Sequence, residues 1–177
     1  MYYAGVGSRE TPLHICELMT QIAKKLSSLG WVCRSGGAEG ADLAFMRGAA
    51  RLENYVAWLG EGSGEYSGIV PNLERNFEYL RDVENLNPLL YDPRTMRNPK
   101  YRGMWKLHAR NVSQVLGLHL NSPCKFVLLY AQPTFTGVKG GTNTALQVAL
   151  HNGIPCFNLW EHSVVERMMK FVETGSL

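Results

Sequence analysis

Val32-Cys33-Arg34-Ser35-Gly36-Gly37-Ala38-Glu39-Gly40-Ala41-Asp42 passes from an apolar run through a glycine-rich turn into helix-forming residues. Trp31 to Cys33 reads as a buried parallel strand, and Ala41 to Met46 as the start of a helix running to about Arg51. Strand, glycine-rich turn and helix in that order make a device for holding phosphate. The glycines let backbone approach an anion, and the free N–H groups of the first helical turn point at it. Gly36 and Gly37 are expected to take positive φ or to sit where a Cβ would block close approach. A tight turn with no ligand carries the same glycines, so this stretch alone leaves both readings open.

On the N-terminal side, Tyr2 to Val6 reads as a strand ended by Gly7-Ser8-Arg9-Glu10. A helix follows, with Thr11 as cap, Pro12 as first helical residue and Leu13, Ile15, Leu18, Met19, Ile22 and Leu26 as its inner stripe. Gly30 stops it. On the C-terminal side, Asn54 to Leu59 reads as a third strand, leading into a glycine-rich loop over 60–68. This β-α-β-α-β series predicts a parallel sheet with right-handed crossovers. Leu73, Phe77, Leu80 and Val83 mark another helix. The segment 86–102, rich in Pro and Asn, carries Arg94, Arg97, Lys100 and Arg102; it reads equally as a basic loop over a site or as a solvated connection. A helix over 104–118 is expected to bury Leu107, Val112, Val115 and Leu116. Lys125 to Tyr130 is the strongest strand, followed by a helix to Asn152, a strand from Ile154 to Leu159 and a last helix lined by Val164, Val165, Met168, Met169 and Val172.

The totals fit one domain over 1–177 with a sizeable core: 45% of residues are hydrophobic and 19% charged. Eighteen basic against fifteen acidic residues leave a net charge of +3, which suits an anionic ligand without demanding nucleic acid. Cys16, Cys33, Cys124 and Cys156 are scattered with no C-x-x-C pair, so free thiols and a reducing, cytoplasmic setting are expected. No signal peptide is read, and no apolar run is long enough to span a membrane, so no membrane partner is expected. The sequence calls for no metal and no cofactor.

If all strands run one way, three turns meet at one sheet edge. They are Gly5-x-Gly7-Ser8-Arg9, the 35–42 turn, and Lys139-Gly140-Gly141-Thr142-Asn143-Thr144. Arg9 offers a planar fork for phosphate, Lys139 a point charge, and Ser8, Ser35, Thr142 and Thr144 hydroxyls. Such convergence favours a phosphate-bearing ligand over turn geometry alone.

Taken in order, Gly7-Ser8-Arg9, Ser35-Gly36-Gly37-Ala38-x-Gly40-Ala41-Asp42, Arg110-Asn111, Gly140-Gly141-Thr142-x-x-Ala145 and Gly153-Ile154-Pro155 resemble the SLOG superfamily. That group includes the Rossmann-like core of the DNA-processing protein DprA/Smf, the YpsA-like proteins and the LOG-type nucleotide phosphoribohydrolases. The DprA-like pattern is the most similar, through Ser-Gly-Gly-Ala-x-Gly and the later Arg-Asn. The resemblance covers nearly the whole chain. It implies an α/β, Rossmann-like three-layer sandwich with a mainly parallel sheet, and a nucleotide or nucleic-acid phosphate at the turns. LOG-type enzymes carry Pro-Gly-Gly-x-Gly-Thr-x-x-Glu. Here Lys139 replaces the Pro, and Gln147, the nearest position to the glutamate, cannot act as a carboxylate base.

The ligand-binding residues expected are therefore Gly7, Ser8, Arg9, Ser35, Gly36, Gly37, Ala38, Asp42, Arg110, Asn111, Gly140, Gly141, Thr142 and Thr144. Asp42 reads first as a buttress of its helix start, where negative charge is favoured. Glu39 is the candidate catalytic carboxylate, and His108 a second candidate acid or base or a plain helix histidine. Tyr66 and Phe135 are candidate stacking residues; Trp58 and Trp105 are expected in the core. Three functions stay open: a binder or sensor of a nucleotide-derived small molecule, a nucleotide N-glycosidic hydrolase or transferase, and a DprA-like protein binding single-stranded DNA. The apolar helix faces, together with the oligomeric habit of SLOG relatives, lead us to expect a homo-oligomer, with helices 12–28 and 103–118 as contact surfaces.

Overall fold

Five short strands pair in parallel: β1 (Tyr2–Gly7), β2 (Val32–Ser35), β3 (Leu52–Asn54), β4 (Val127–Tyr130) and β5 (Cys156–Asn158). Their order across the sheet is β3-β2-β1-β4-β5. The computed structural model describes residues 1–61, 64–101 and 103–176; Gly62 and Ser63 of the expected glycine-rich loop, and Arg102 of the basic segment, lie outside the described residues. Register runs from Tyr3 opposite Cys33 on one side of β1 to Gly5 opposite Leu128 on the other.

Side-chain alternation splits the core into two layers. Tyr3, Cys33 and Leu128 face α1 (Leu13–Ser28), α2 (Ala41–Gly48) and α7 (His162–Thr174). Ala4, Val6, Val127 and Leu129 face α3 (Leu73–Tyr79), α5 (Met104–Leu116) and α6 (Thr142–His151). The result is the three-layer, Rossmann-like α/β fold expected. Because β2 and β3 lie on one side of β1 and β4 and β5 on the other, the chain order reverses between β1 and β4. A crevice opens outside the carboxyl ends of such strands. Among the described residues, no helix is long and apolar enough to cross a membrane.

Several elements differ from expectation, each for a packing reason. β2 runs on through Arg34, whose charge made the strand seem to stop at Cys33. Arg34 is buried because its Nε donates to Glu53 Oε2 (2.7 Å), its guanidinium covers the Tyr2 ring at 3.7 Å, and the Ser122 carbonyl accepts from it. The third strand is Leu52–Asn54, earlier than the expected 54–59. Beyond it the returning chain takes the outer place: Ile69 N–H donates to Asn54 O (2.7 Å) and Val56 N–H to Ile69 O (3.0 Å). α2 stops at Gly48, where a Cβ would strike the Thr20 carbonyl. Thr11 does not cap α1; its hydroxyl donates to Ser8 O (2.6 Å). Leu13 and Met169 are exposed, and Phe171 joins Met168 inward on α7. Trp58 is largely exposed, not core, while Trp105 sits half-buried with its ring 5.4 Å from Phe77. Between 86 and 101 the chain forms two 3₁₀ turns and α4 (Pro93–Arg97) around buried Leu90.

The two helices expected as self-association surfaces differ in what they leave outside. Every residue of α5 from Ala109 to Leu116 is buried within the chain, whereas α1 exposes the polar His14, Glu17, Gln21 and Lys24 together with Leu13.

Candidate functional site

A cleft of about 400 Å³ lies at the β1/β4 switch point. Ligand pockets of small molecules start near this size. Val6 to Arg9 after β1, Ala38 and Asp42 after β2, and Lys139 to Thr142 after β4 form its rim, while Met104, Leu107, His108, Arg110, Asn111 and Gln114 of α5 form a wall. Ten of the expected residues therefore meet there: Gly7, Ser8, Arg9, Ala38, Asp42, Arg110, Asn111, Gly140, Gly141 and Thr142.

Five do not. Ser35, Gly36 and Gly37 are buried behind the cleft; the Ser35 hydroxyl donates to Gly5 O (2.6 Å), and a Cβ on Gly36 would strike the Arg110 guanidinium. Thr144 is buried within the first turn of α6, where its hydroxyl meets His108 of the cleft wall. Glu39, the candidate catalytic group, is exposed and lines a separate groove of about 500 Å³ with Leu13, Cys16, Glu17 and Arg47. Its position just before α2 turns it toward α1, away from the cleft. Gln147 is committed too: its Nε2 donates to Thr136 O (2.9 Å) and Asn143 Oδ1 (3.1 Å). Phe135 is fully exposed and lies outside the cleft lining.

Much of the glycine pattern answers to packing. A Cβ on Gly5 would strike the Phe45 ring, one on Gly7 the Ala41 methyl, and one on Gly40, at φ +79°, the carbonyls of Ser8 and Arg9. These glycines let α2 sit close on β1. Gly140 and Gly141 are different, since a Cβ on either meets nothing within 4 Å. Their lip is open; the N–H groups of Asn143 and Thr144 turn back to the Gly140 and Gly141 carbonyls (3.2 and 3.1 Å), which leaves those of Gly141 and Thr142 beside the lip at the start of α6.

Asp42 fills the place that an anion would take at the first two turns. Gly7 N–H donates to its Oδ1 and Gly36 N–H to its Oδ2, both at 3.1 Å, and Arg110 Nη1 stands 3.9 Å from Oδ2. Burial pushes its carboxyl up to about 6, against the opposing pull of Arg110 and of the N–H groups of Gly7, Gly36 and Ala38. Arg110 Nη1 also donates to Tyr55 O (3.2 Å) and Nη2 to Glu61 Oε1 (3.2 Å), while its buried Nε has no partner. With Arg9 and Lys139 the cleft carries three cations against one carboxylate. His108 Nδ1 is 2.5 Å from the Thr144 hydroxyl. Burial first, and then the Arg110 charge, hold this imidazole below its usual pKa, so it is neutral at pH 7.

Gln114 was missed in the sequence. Read with its amide oxygen toward the donors, it accepts from Arg110 Nη1 (2.8 Å) and Gly36 N–H (2.9 Å) and donates to Asn111 Oδ1 (3.1 Å). Asn111 Nδ2 then donates to Gly141 O (3.1 Å). A continuous polar relay thus joins the turn after β2 to the turn after β4. The signal was present: His108, Asn111 and Gln114 recur at helical spacing beside the apolar Ala109, Val112 and Val115.

No family profile matches the chain, and no curated protein does. Among solved structures it is similar to DNA processing protein A from Helicobacter pylori, which binds single-stranded DNA, at 16% identity and a TM-score of 0.55 over 98% of this chain and 79% of that one. It is also similar to the molybdenum cofactor carrier protein of Chlamydomonas reinhardtii, at 14% identity and a TM-score of 0.50 over 99% of this chain and 87% of that one. At such identities the likeness shows the fold, and it is a DprA-like one.

Proposed function

We propose that the cleft binds a nucleotide or nucleotide-derived phosphate ligand, as a binder or sensor, and that the chain is a SLOG-type domain. The observation that carries this is the open Gly140–Gly141 lip at the start of α6, flanked by Arg9 and Lys139. Phosphate belongs there, not at Gly36 and Gly37, whose turn is already closed by Asp42. Met104 and Leu107 supply the apolar side that a nucleobase needs.

Gly141 gives a clean test. It sits at φ −65°, which alanine adopts freely, and a Cβ there enters empty space. Gly141→Ala should leave the melting temperature unchanged and weaken binding of a nucleoside 5′-monophosphate by about tenfold or more, read by calorimetry. Unchanged affinity in that variant would place the phosphate elsewhere, and no nucleotide binding by the native protein would remove the reading.

One observation favours a second reading. The fold neighbour from Helicobacter pylori binds single-stranded DNA, whose phosphodiester chain suits the same lip and the exposed Arg9 and Lys139. Competition between a mononucleotide and a short oligodeoxynucleotide separates the two.

A further inference from the structure

His108 lies on the α5 wall of the cleft, and its Nδ1 is 2.5 Å from the Thr144 hydroxyl in the first turn of α6. Thr144 is 2% exposed, and among the described residues its hydroxyl has no hydrogen-bond partner except that nitrogen. The direction of the bond follows. A hydroxyl that donates to Nδ1 uses its one hydrogen. A hydroxyl that accepted from an Nδ1–H would leave its own hydrogen buried and unpaired, which is the costly case. Thr144 therefore donates and Nδ1 accepts. Burial, and after it the charge of Arg110, keep the ring neutral at pH 7, so its single hydrogen sits on Nε2. Nε2 has no hydrogen-bond partner among the described residues, yet it is not shut away from solvent as Arg110 Nε is. On a residue that lines the cleft, that leaves an N–H donor open to a ligand.

The neighbouring groups narrow what this donor can meet. The Gly141 carbonyl already accepts from Thr144 N–H and from Asn111 Nδ2, both at 3.1 Å. The Ser8 carbonyl accepts from the Thr11 hydroxyl (2.6 Å) and from Ala41 N–H (3.3 Å). What is left at this end of the cleft is chiefly donors: the N–H groups of Gly141 and Thr142, with the cations Arg9 and Lys139. An amine would meet mostly its own kind there, whereas a phosphate oxygen accepts from every one of them. We propose that His108 donates from Nε2 to an oxygen of the ligand's phosphate, with Thr144 as the positioning residue that fixes its tautomer. This rests on the nucleotide reading above and adds to the lip a neutral donor from the α5 wall.

Side-chain ¹H–¹⁵N NMR of the native protein at pH 7 reads the tautomer, the His108 signals being identified by their loss in His108→Gln. A neutral ring protonated at Nε2 is expected; a ring protonated at Nδ1, or a charged one, overturns the proposal. Adding a nucleoside 5′-monophosphate should then move the Nε2 signal more than the Nδ1 signal, and an unmoved Nε2 overturns the contact. Calorimetry with the same nucleotide gives its size. His108→Leu should weaken binding about tenfold, the loss expected when a hydrogen bond to a charged group disappears. His108→Gln should recover most of that loss, because its amide N–H reaches the place of Nε2; His108→Asn, whose amide reaches only the place of Nδ1, should not. Thr144→Val keeps the side-chain volume and removes the hydroxyl. It should shift the His108 ring toward the Nδ1–H form and weaken binding several-fold, whereas a merely structural Thr144 would leave the tautomer as it was. Equal affinity in the native protein and His108→Leu overturns the contact and leaves the nucleotide reading standing. No nucleotide binding by the native protein overturns both.

Discussion

A buried carboxylate such as Asp42 is costly while charged, and its position makes that cost visible. Its folded pKa of about 6 lies above the ordinary carboxylate value near 4. The folded state therefore holds a proton that the unfolded state has released between those two values. Stability should fall as pH rises from about 4 to about 6, against the usual carboxylate trend. Denaturant titrations across this range test it, and Asp42→Asn should flatten that segment of the curve. The same proton affects the ligand. Below about pH 6 the cleft has three cations and no anion, so a phosphodiester ligand, which does not titrate there, should bind more tightly than at pH 7. Gly36 makes a different demand. Its Cβ would collide with Arg110 and Gln114, both wedged between turns, so Gly36→Ala should destabilise the fold by about 3 kcal/mol or more in urea unfolding.

At the scale of elements, α5 does the work that the sequence divided among three turns. It was legible as a helix with an apolar stripe, and Arg110-Asn111 drew notice as a motif. Its polar face was not legible as a wall, because only the register of α5 against β1 aims His108, Asn111 and Gln114 at one cleft. Asn111 is the instructive case. It was expected to touch the ligand, yet both ends of its amide are committed, Oδ1 to Gln114 and Nδ2 to Gly141 O. It holds the lip in place. Asn111→Asp should therefore weaken nucleotide binding several-fold by setting a carboxylate against the Gly141 carbonyl, with an NMR shift at the Gly141 amide before any ligand is added. Glycines misled for a related reason. Close packing of α2 on β1 and close approach to a phosphate ask for the same missing Cβ, and no local pattern distinguishes them.

For the whole molecule, the parallel sheet and the site's edge were readable from strand–helix alternation, since parallel strands bring every following turn to one end. Boundaries failed where charge hid a strand, at Arg34, or where the chain doubled back, at Ile69. The place of Glu39, outside the cleft, was not legible because a residue just before a helix can face either way, and three-dimensional packing alone chooses. The mild net charge of +3 also constrains nucleic-acid binding. With Arg9 and Lys139 as the cleft's exposed cations, and Arg110 committed within the protein, an oligonucleotide should engage about two phosphates. The slope of log affinity against log salt should then be about −1.4, and a slope several times steeper would require a contact surface beyond the cleft.

The return of the chain at Ile69 beside Asn54 and Val56 also bears on how copies of this protein behave when crowded. β3 is a three-residue border of the sheet, and an open border is where a foreign strand adds and fibrils begin. By lending one residue to that border, the segment after the 60–68 loop closes off the Asn54 carbonyl at the end of β3 and the Val56 N–H just beyond it with the protein's own backbone. Shortening that loop would strip the cover away and turn this margin of the sheet into an aggregation seed.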